Sequence, residues 1–225
     1  MNCRPNHGES GLQKVFRYFG DMVAEAAFIR MRLRIGTVEG FLVPGQEKWL
    51  YRAARSLPKQ ATIVEIGAYK GKSTASLALG CLGSSRHVFS IDMFGGSYED
   101  VRDTEIAHKF EMSFLDDWQR NMSRLGVLQH ATALQGDSKT VVRNWTRPIH
   151  LLFIDGSHKY EDVVADFENF FPYVVEGGLV ALHDVTASWL GPYQAWHEKI
   201  QSLLVDTGSC GSLAYGRKLR SSQVK

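Results

Sequence analysis

The sequence has few cysteines and no long apolar run. Its three cysteines, Cys3, Cys81 and Cys210, are an odd number and lie far apart, which indicates neither a disulfide framework nor a cysteine metal site. The longest stretches without a charged side chain, counting histidine as neutral, have 13 residues and are too short to span a bilayer. Residues 1–7 lack the apolar core of a secretory signal peptide. We therefore expect a protein of the reducing cytoplasm without a transmembrane segment.

The chain also lacks a strong excess of either charge. Its net charge is +2, but residues 1–60 carry +5, residues 61–215 carry −7 and residues 216–225 carry +4. The acidic body argues against a broad nucleic-acid surface, so no nucleic-acid partner is expected. The basic ends are more typical of solvated termini than of a contact with an acidic lipid or protein surface.

The length and composition predict one soluble domain with an extension. The chain has 225 residues, of which 44% are hydrophobic and 22% are charged. Apolar side chains recur at helical spacing over residues 12–30 and predict an amphipathic helix, which can pack on the main domain or on a second copy of the chain. We therefore predict an N-terminal segment, 1–37, a main domain, 38–225, and a homo-oligomer formed through the N-terminal helix.

Short apolar strands alternate with helices from residue 61 onward. This alternation predicts βα units and an α/β fold with a doubly wound, mostly parallel sheet. Gly177-Gly178 is interpreted as a turn before the fifth strand. The predicted strands are 63–66, 87–91, 131–134, 149–154, 179–182 and 212–216, and the predicted helices are 45–56, 73–82, 106–125, 163–171 and 193–204.

Polar side chains follow most of these strands, where parallel sheets bind their ligands. The strand ends carry Glu65, Asp92, Asp137, Asp155 and the pair His183-Asp184. The sequence thus predicts a ligand site along one rim of the sheet.

The loop after the first strand, residues 65–74, contains two glycines and is open to three interpretations. A phosphate-binding loop needs four residues between its glycines, but Gly67 and Gly71 are separated by three. A dinucleotide-binding loop needs glycine at the positions of Tyr69 and Lys72. The pattern E-x-G-x-x-x-G-x-S, which ends at Ser73, resembles the first motif of class I methyltransferases that use S-adenosylmethionine (SAM). SAM is therefore the expected cofactor, and an ATP-dependent phosphotransferase that needs Lys72 remains an alternative.

The remaining strand ends suit the parts of SAM. Glu65 is predicted to supply an anion near the amine, beside a loop formed by Gly67, Gly71 and Ser73. Asp92 is placed to accept hydrogen bonds from both ribose hydroxyls, and Asp137 and Ser138 to bind the adenine. The alternative is that Asp92 and Asp137 only cap helices.

Two further motifs carry a closer resemblance. D-G-S-H-K-Y at 155–160 and G-G-L-V-A-L-H-D at 177–184 resemble bacterial SAM-dependent sugar O-methyltransferases typified by macrocin O-methyltransferase, and more distantly catechol O-methyltransferase. The resemblance covers residues 38–216. It implies a seven-stranded Rossmann-like sheet and methyl transfer from SAM to an oxygen of a small molecule. It also implies that this acceptor is glycosylated and that a sugar hydroxyl is methylated.

The chemistry of O-methylation suggests roles for the rim residues. His158 has an ordinary pKa that suits a general base at neutral pH, and the resemblance implies this role; the alternative is a helix cap. Asp155 and Asp184 suit Mg²⁺, which would acidify and orient the acceptor hydroxyl. In the resembling family acids match 183 and 184, whereas here position 183 is histidine. We predict Asp155, Asp184 and His183 as ligands of a metal such as Mg²⁺; the alternatives are fewer ligands, a different ion, or no metal.

Two further predictions concern the surroundings of the site. Trp189, Tyr193 and Trp196 are candidates for an apolar wall that contacts the acceptor, and residues 93–104 for a lid. A non-catalytic SAM-binding partner or regulatory module remains an alternative to an enzyme.

Overall fold

The structure, a computed structural model, describes residue 29, residues 32–95 and residues 113–220. The chain divides into two compact units, Met1–Thr37 and Val38–Lys225. In the described part of the first unit, residues 32–35 are helical. The amphipathic helix predicted over 12–30, most of the predicted lid, and residues 106–112 of a predicted helix lie outside the described residues.

The second unit contains a seven-stranded sheet in the order β3-β2-β1-β4-β5-β7-β6. Strands β1 to β5 pair in parallel, and β7 is antiparallel to both β5 and β6. This confirms the predicted mostly parallel, doubly wound α/β fold. The strands are β1 Thr62–Ile66, β2 His87–Asp92, β3 Ala131–Gln135, β4 Ile149–Ile154, β5 Val174–Leu182, β6 Leu204–Cys210 and β7 Leu213–Lys218.

Six α-helices accompany the strands in the described part of this unit. A π-helix (Trp196–Ile200) and a 3₁₀ turn (Gln201–Leu203) continue the last of them, and further 3₁₀ turns cover Leu128–His130, Val142–Asn144 and Phe171–Tyr173. The α-helices are α1 Gln46–Ser56, α2 Lys72–Cys81, α3 Leu115–Leu125, α4 Ser138–Val141, α5 Tyr160–Phe170 and α6 Leu190–Ala195.

Apolar patterning explains how these elements pack. In β4 every residue except His150 is buried, as expected of a central parallel strand with helices on both faces. Helix α3 buries Trp118, Met122 and Leu125, which lie on one face at spacings of four and three residues. It ends at Gly126, whose φ of 71° is the left-handed conformation that commonly ends helices.

The predicted start of the fifth strand is wrong. Gly177 and Gly178 lie inside β5 instead of forming a turn before it, and the pairing of β5 with β4 shifts its register between Ile149 and Leu151. A register shift of this kind lets a strand accommodate Gly177 at a φ of 73°.

Strand β6 has no counterpart in the prediction. It buries only Leu204 fully, so it lacks the alternating apolar pattern that predicts a strand. Its pairing with β7 shifts register between Val205 and Gly208, and Asp206 between them has a φ of 51°.

The sheet order places the ends of β1 and β4 next to each other. The amide of Asp155, directly after β4, donates to the carbonyl of Ile66 at the end of β1 (2.8 Å). The chain crosses from one half of the sheet to the other between these two strands, and open α/β sheets bind ligands at such a point.

Candidate active site

The turn after β1 packs directly on the turn after β4. Gly67 has a φ of 86°, and a Cβ atom built on it would lie 2.0 Å from the carbonyl oxygen of Asp155. No residue other than glycine fits this close approach without displacing backbone. The glycine loop and Asp155 are therefore neighbours at the rim of the sheet.

Asp92 at the end of β2 holds the glycine loop in place. Its Oδ2 accepts hydrogen bonds from the amides of Ala68 (2.6 Å) and Tyr69 (2.8 Å), and its Oδ1 accepts from the amide of Phe94 (2.7 Å). These bonds support a loop in which Tyr69 has a φ of 49°. A carboxylate has about four acceptor positions, so three amides leave Asp92 able to accept another hydrogen bond.

A cavity of about 530 Å³ opens along the rim beside this loop. Of the predicted cofactor and base residues, Gly67, Asp92, Asp137, Ser138 and His158 line it. Glu65, Gly71 and Ser73 are not among its lining residues. The lining residues that sequence analysis did not assign to the cofactor include Met93, Lys139, Ser157, Asp162 and Asp166.

Glu65 lies beneath the glycine loop and is fully buried. Its Oε2 accepts hydrogen bonds from the hydroxyls of Thr74 and Ser90, while its Oε1 has no partner. Burial raises the pKa of Glu65 to about 7, although hydrogen bonds from neighbouring hydroxyls lower it. Contact between Glu65 and the amine of SAM stays a prediction.

Asp137 and Ser138 have partners of their own at the start of α4. Asp137 accepts a hydrogen bond from the amide of Lys139 (2.8 Å), the arrangement of a helix N-cap. The hydroxyl of Ser138 donates to Asp166, a buried residue of α5. Burial raises the pKa of Asp166 to about 6. One signal for Asp166 is present in the sequence, because this acid lies on the same helical face as Val163, Phe167 and Phe170.

Asp155, His183 and Asp184 converge beside the cavity. The Nδ1 atom of His183 is 3.0 Å from Oδ1 of Asp155 and 3.1 Å from Oδ2 of Asp184. In the described part of the chain these three residues are the group whose ligand atoms lie close enough together to hold a metal ion. Asp184 has a φ of 56°, an uncommon conformation that directs its side chain to this point at a cost in strain.

His158 joins this centre through Asp184. Its Nε2 lies 3.0 Å from Oδ2 of Asp184, and its ring stacks on Trp189 with centroids 3.9 Å apart and planes at 19°. Gly191 makes the stack possible, because a Cβ there would lie 2.1 Å from the carbonyl oxygen of His158. His158 is therefore held from two sides, by a carboxylate and by an aromatic ring.

Gln46 in α1 is a site residue that sequence analysis missed. Its Oε1 lies 3.0 Å from Nε2 of His183, although the two residues are 137 positions apart. No spacing or motif links them, so only the fold reveals the contact. Gln46 is fully buried, as is usual for an amide whose hydrogen bonds are satisfied.

Opposite charges dominate the electrostatics of this centre. Burial lowers the pKa of His183, but the carboxylates of Asp155 and Asp184 outweigh it and raise the pKa to about 10. Burial raises the pKa of Asp184, but hydrogen bonds to His158 and His183 overcome it and hold the pKa well below its usual range. The two neighbouring imidazoles thus stabilise the carboxylate of Asp184.

The predicted aromatic wall is present only in part. Trp189 and Tyr193 are exposed, whereas Trp196 is 3% exposed and belongs to the core.

Lys72, which the phosphotransferase alternative requires, is not among the cavity's lining residues; its Nζ lies 3.6 Å from Glu47 Oε1. Among the described residues, no helix is long and apolar enough to cross a membrane.

Comparison with known families identifies the class of this domain. A family model described as a methyltransferase domain matches residues 64–185, more than half of the chain. The chain belongs to this methyltransferase-domain family. A curated relative, the uncharacterized protein y4gI of Sinorhizobium fredii (strain NBRC 101917 / NGR234), is 32% identical over 157 residues. The match covers 67% of this chain but spans only 16% of that protein's length.

Solved structures share the fold at low sequence identity. The O-methyltransferase NovP is 19% identical with a TM-score of 0.62, and the match covers 78% of this chain and 80% of NovP. An O-methyltransferase from Bacillus cereus, solved in complex with SAH, is 17% identical with a TM-score of 0.59, covering 91% and 97% of the two chains. CalS11, a TDP-rhamnose 3′-O-methyltransferase of calicheamicin biosynthesis, is 21% identical with a TM-score of 0.52, covering 76% of each chain.

Proposed function

We propose that this protein transfers a methyl group from SAM to a hydroxyl oxygen of a glycosylated small molecule. The observation that carries the proposal is the contact between the glycine loop and the acidic centre. Gly67 packs on the backbone of Asp155, and His158 both lines the cavity and contacts Asp184. A methyl donor in the cavity would lie beside a base and two carboxylates.

The cavity suits SAM in polarity and position. Asp92 retains acceptor capacity for a ribose hydroxyl, and Ser138 at the start of α4 lines the same cavity as Gly67 of the glycine loop. Membership of the methyltransferase-domain family supports the same cofactor, and a fold neighbour is described with SAH bound. We propose that Glu65, Gly71 and Ser73 support the glycine loop. Gly67, Asp92, Asp137 and Ser138 line the cavity that would hold the cofactor.

His158 is the proposed general base. Asp184 is an acceptor, so Nε2 of His158 donates its hydrogen to Oδ2 and Nδ1 is left to accept a proton. In the reaction the acceptor oxygen forms a bond to the methyl carbon, the S–CH₃ bond breaks, and the hydroxyl proton passes to Nδ1. The products are a methyl ether, S-adenosylhomocysteine and a protonated His158, whose charge Asp184 stabilises.

Asp155, His183 and Asp184 fit a divalent cation. The Nδ1 atom of His183 is buried without an aligned hydrogen-bond partner, although two carboxylate oxygens lie within 3.1 Å. Such an orphaned atom among carboxylates is typical of a ligand set. A bound cation would lower the pKa of the acceptor hydroxyl.

A sugar hydroxyl is the proposed acceptor. The motif resemblance supports it, and CalS11, one of the fold neighbours, acts on TDP-rhamnose. The exposed ring of Trp189 beside His158 supplies an apolar surface next to the proposed base. We further propose that the protein is cytoplasmic. We also propose that it forms homo-oligomers through residues 12–30, and light scattering of the full chain tests this oligomeric state.

The first experiment measures cofactor binding and turnover. We expect SAM and S-adenosylhomocysteine, but not ATP, to bind in calorimetric titrations. With SAM present, a panel of nucleoside-diphosphate sugars that includes TDP-rhamnose is screened for S-adenosylhomocysteine formation by mass spectrometry. Binding of ATP instead of SAM would contradict the proposal, and SAM binding without turnover on any acceptor would favour a non-catalytic module.

Substitution of the proposed base separates catalysis from binding. We expect His158→Ala to lower kcat about 10²–10⁴-fold, the usual contribution of a general base, while the Kd for SAM changes little. His197→Ala is the matched control, because His197 is an exposed histidine outside the cavity. Equal turnover of the two variants would remove His158 from the base role.

A further inference from the structure

The ligand atoms at the acidic centre are of mixed chemical type. Asp155 and Asp184 offer oxygen, whereas His183 offers Nδ1, which lies 3.0 and 3.1 Å from their oxygens. The ring of His183 is buried, so water does not compete for this nitrogen. The donor set is therefore one imidazole nitrogen and two carboxylates.

Gln46 determines which nitrogen of His183 is free to bind a metal. The amide nitrogen of Gln46 donates to the carbonyl of Cys210 (3.2 Å) and the hydroxyl of Ser212 (3.0 Å), which fixes the orientation of the amide. Its oxygen already accepts from the amide of Val43 (2.8 Å) and faces Nε2 of His183 as an acceptor. Nε2 therefore donates to Gln46, and Nδ1, which faces the carboxylates, is the nitrogen left to bind a metal in place of a proton.

This orientation of the His183 ring has a consequence for which metal ion the centre prefers. Mg²⁺ binds oxygen ligands almost exclusively, whereas Mn²⁺, Fe²⁺, Co²⁺ and Zn²⁺ accept imidazole together with carboxylate. A histidine whose other nitrogen donates to a buried oxygen is the usual form of a transition-metal ligand.

We propose that His183, oriented by Gln46, makes this centre select a divalent transition metal over Mg²⁺. The inference rests on the proposed function for the role of the centre in catalysis, but metal binding is measurable without turnover. It replaces the expectation of Mg²⁺ that the two aspartates alone suggest.

The test compares metals on the untagged full chain by calorimetry, with Mn²⁺ binding also followed by electron paramagnetic resonance. We expect Mn²⁺ and Co²⁺ to bind at least about tenfold more tightly than Mg²⁺, and Asp155→Asn to abolish this binding. We expect His183→Asp to reduce the Mn²⁺/Mg²⁺ affinity ratio to near one. Gln46→Leu should weaken Mn²⁺ binding about 10–100-fold, the usual effect of losing the partner of a metal-bound histidine.

The controls keep the result unambiguous. His197→Asp makes the same substitution at an exposed position outside the cavity and should leave the ratio unchanged. Equal affinities for Mn²⁺ and Mg²⁺ in the unaltered protein, or no binding of either, would overturn the inference whether or not the variants fold. A parallel SAM titration separates the two proposals, because SAM binding without metal selectivity contradicts only this inference, whereas absence of SAM binding contradicts the proposed function.

Discussion

Individual side chains at the rim support the loop beside the proposed ligand site. Asp92 was predicted from its place at a strand end to bind the ribose, and the structure adds three backbone amides of the loop to its partners. A substitution of Asp92 would therefore disturb the loop as well as any contact with the ribose. Glu65 offers a cleaner test because its effect on stability depends on pH.

We expect the free energy of unfolding to fall as pH rises from about 5 to 8 because of Glu65. Burial raises its pKa in the folded protein to about 7, above the ordinary value of 4.5, so the folded state holds a proton that the unfolded chain has lost. Glu65 therefore stabilises the fold fully below about pH 4.5, and this contribution is lost as pH rises through 7. Between about pH 4.5 and pH 8, the free energy of unfolding of Glu65→Gln should therefore rise by roughly 3 kcal/mol relative to that of the unaltered protein.

Urea unfolding of both proteins at a series of pH values measures this difference. Glu161→Gln, at an exposed position, is the matched control and should follow the unaltered protein. Parallel curves for Glu65→Gln and the unaltered protein would show that Glu65 is ionised in both states.

The sequence predicted which of these side chains share the rim, whereas their roles in binding and catalysis stay predictions. The strand-end rule predicted that Asp92, Asp155 and Asp184 share one rim, because parallel strands end at the same edge of the sheet, and His158 follows three residues after Asp155. The same rule did not identify Gln46, whose contact with His183 depends on how α1 packs against the β6–β7 connection. It also gave no role to Asp166, since its partner Ser138 belongs to another βα unit.

At the scale of the elements, the turn after β1 tolerates little change. We expect Gly67→Ala to lower the free energy of unfolding by about 2–5 kcal/mol, the sum of left-handed strain and overlap with the carbonyl of Asp155. SAM binding should be lost with it, because the loop must move away from β4. Urea unfolding and calorimetry measure the two effects.

The control for this variant is another glycine of similar conformation. Gly126 also has a positive φ, 71°, but a Cβ there meets no atom within 4 Å. Gly126→Ala should therefore cost only about 1–2 kcal/mol and leave SAM binding unchanged. Similar losses in both variants would mean that left-handed strain alone accounts for the effect at Gly67.

The elements that sequence patterning predicted best are those buried on both sides. Apart from His150 and Lys72, strand β4 and helix α2 consist of apolar or small residues, which few other arrangements can accommodate. Strand β6 was not predicted because its residues lack an alternating apolar pattern. Its strand conformation depends on pairing with β7. The start of β5 was missed because Gly177 and Gly178, which are typical of turns, are tolerated inside a strand at a register shift.

At the scale of the whole molecule, the acidic centre connects distant parts of the chain. Asp155 follows β4, His183 and Asp184 follow β5, and Gln46 joins His183 to the β6–β7 connection through Cys210 and Ser212. An ion that binds the folded centre therefore stabilises the whole of the second unit.

We expect Mn²⁺ at 100 times its Kd to stabilise the protein by about 2.7 kcal/mol, provided that it binds only the folded state. For a chain of this length the Tm should rise by roughly 5–10 °C. Thermal unfolding followed by circular dichroism measures the shift. EDTA should reverse it and Asp155→Asn should remove it, and a Tm that does not respond to Mn²⁺ would argue against an ion at this centre.

The register shift in β6 has a consequence for the behaviour of the protein in a crowded cell. β6 closes one edge of the sheet, where unpaired amides and carbonyls can template strands of other chains. The left-handed Asp206 and the interrupted pairing between Val205 and Gly208 bend this edge. A bent edge presents no regular ladder to an approaching strand, and so protects the protein from aggregation by sheet extension at β6.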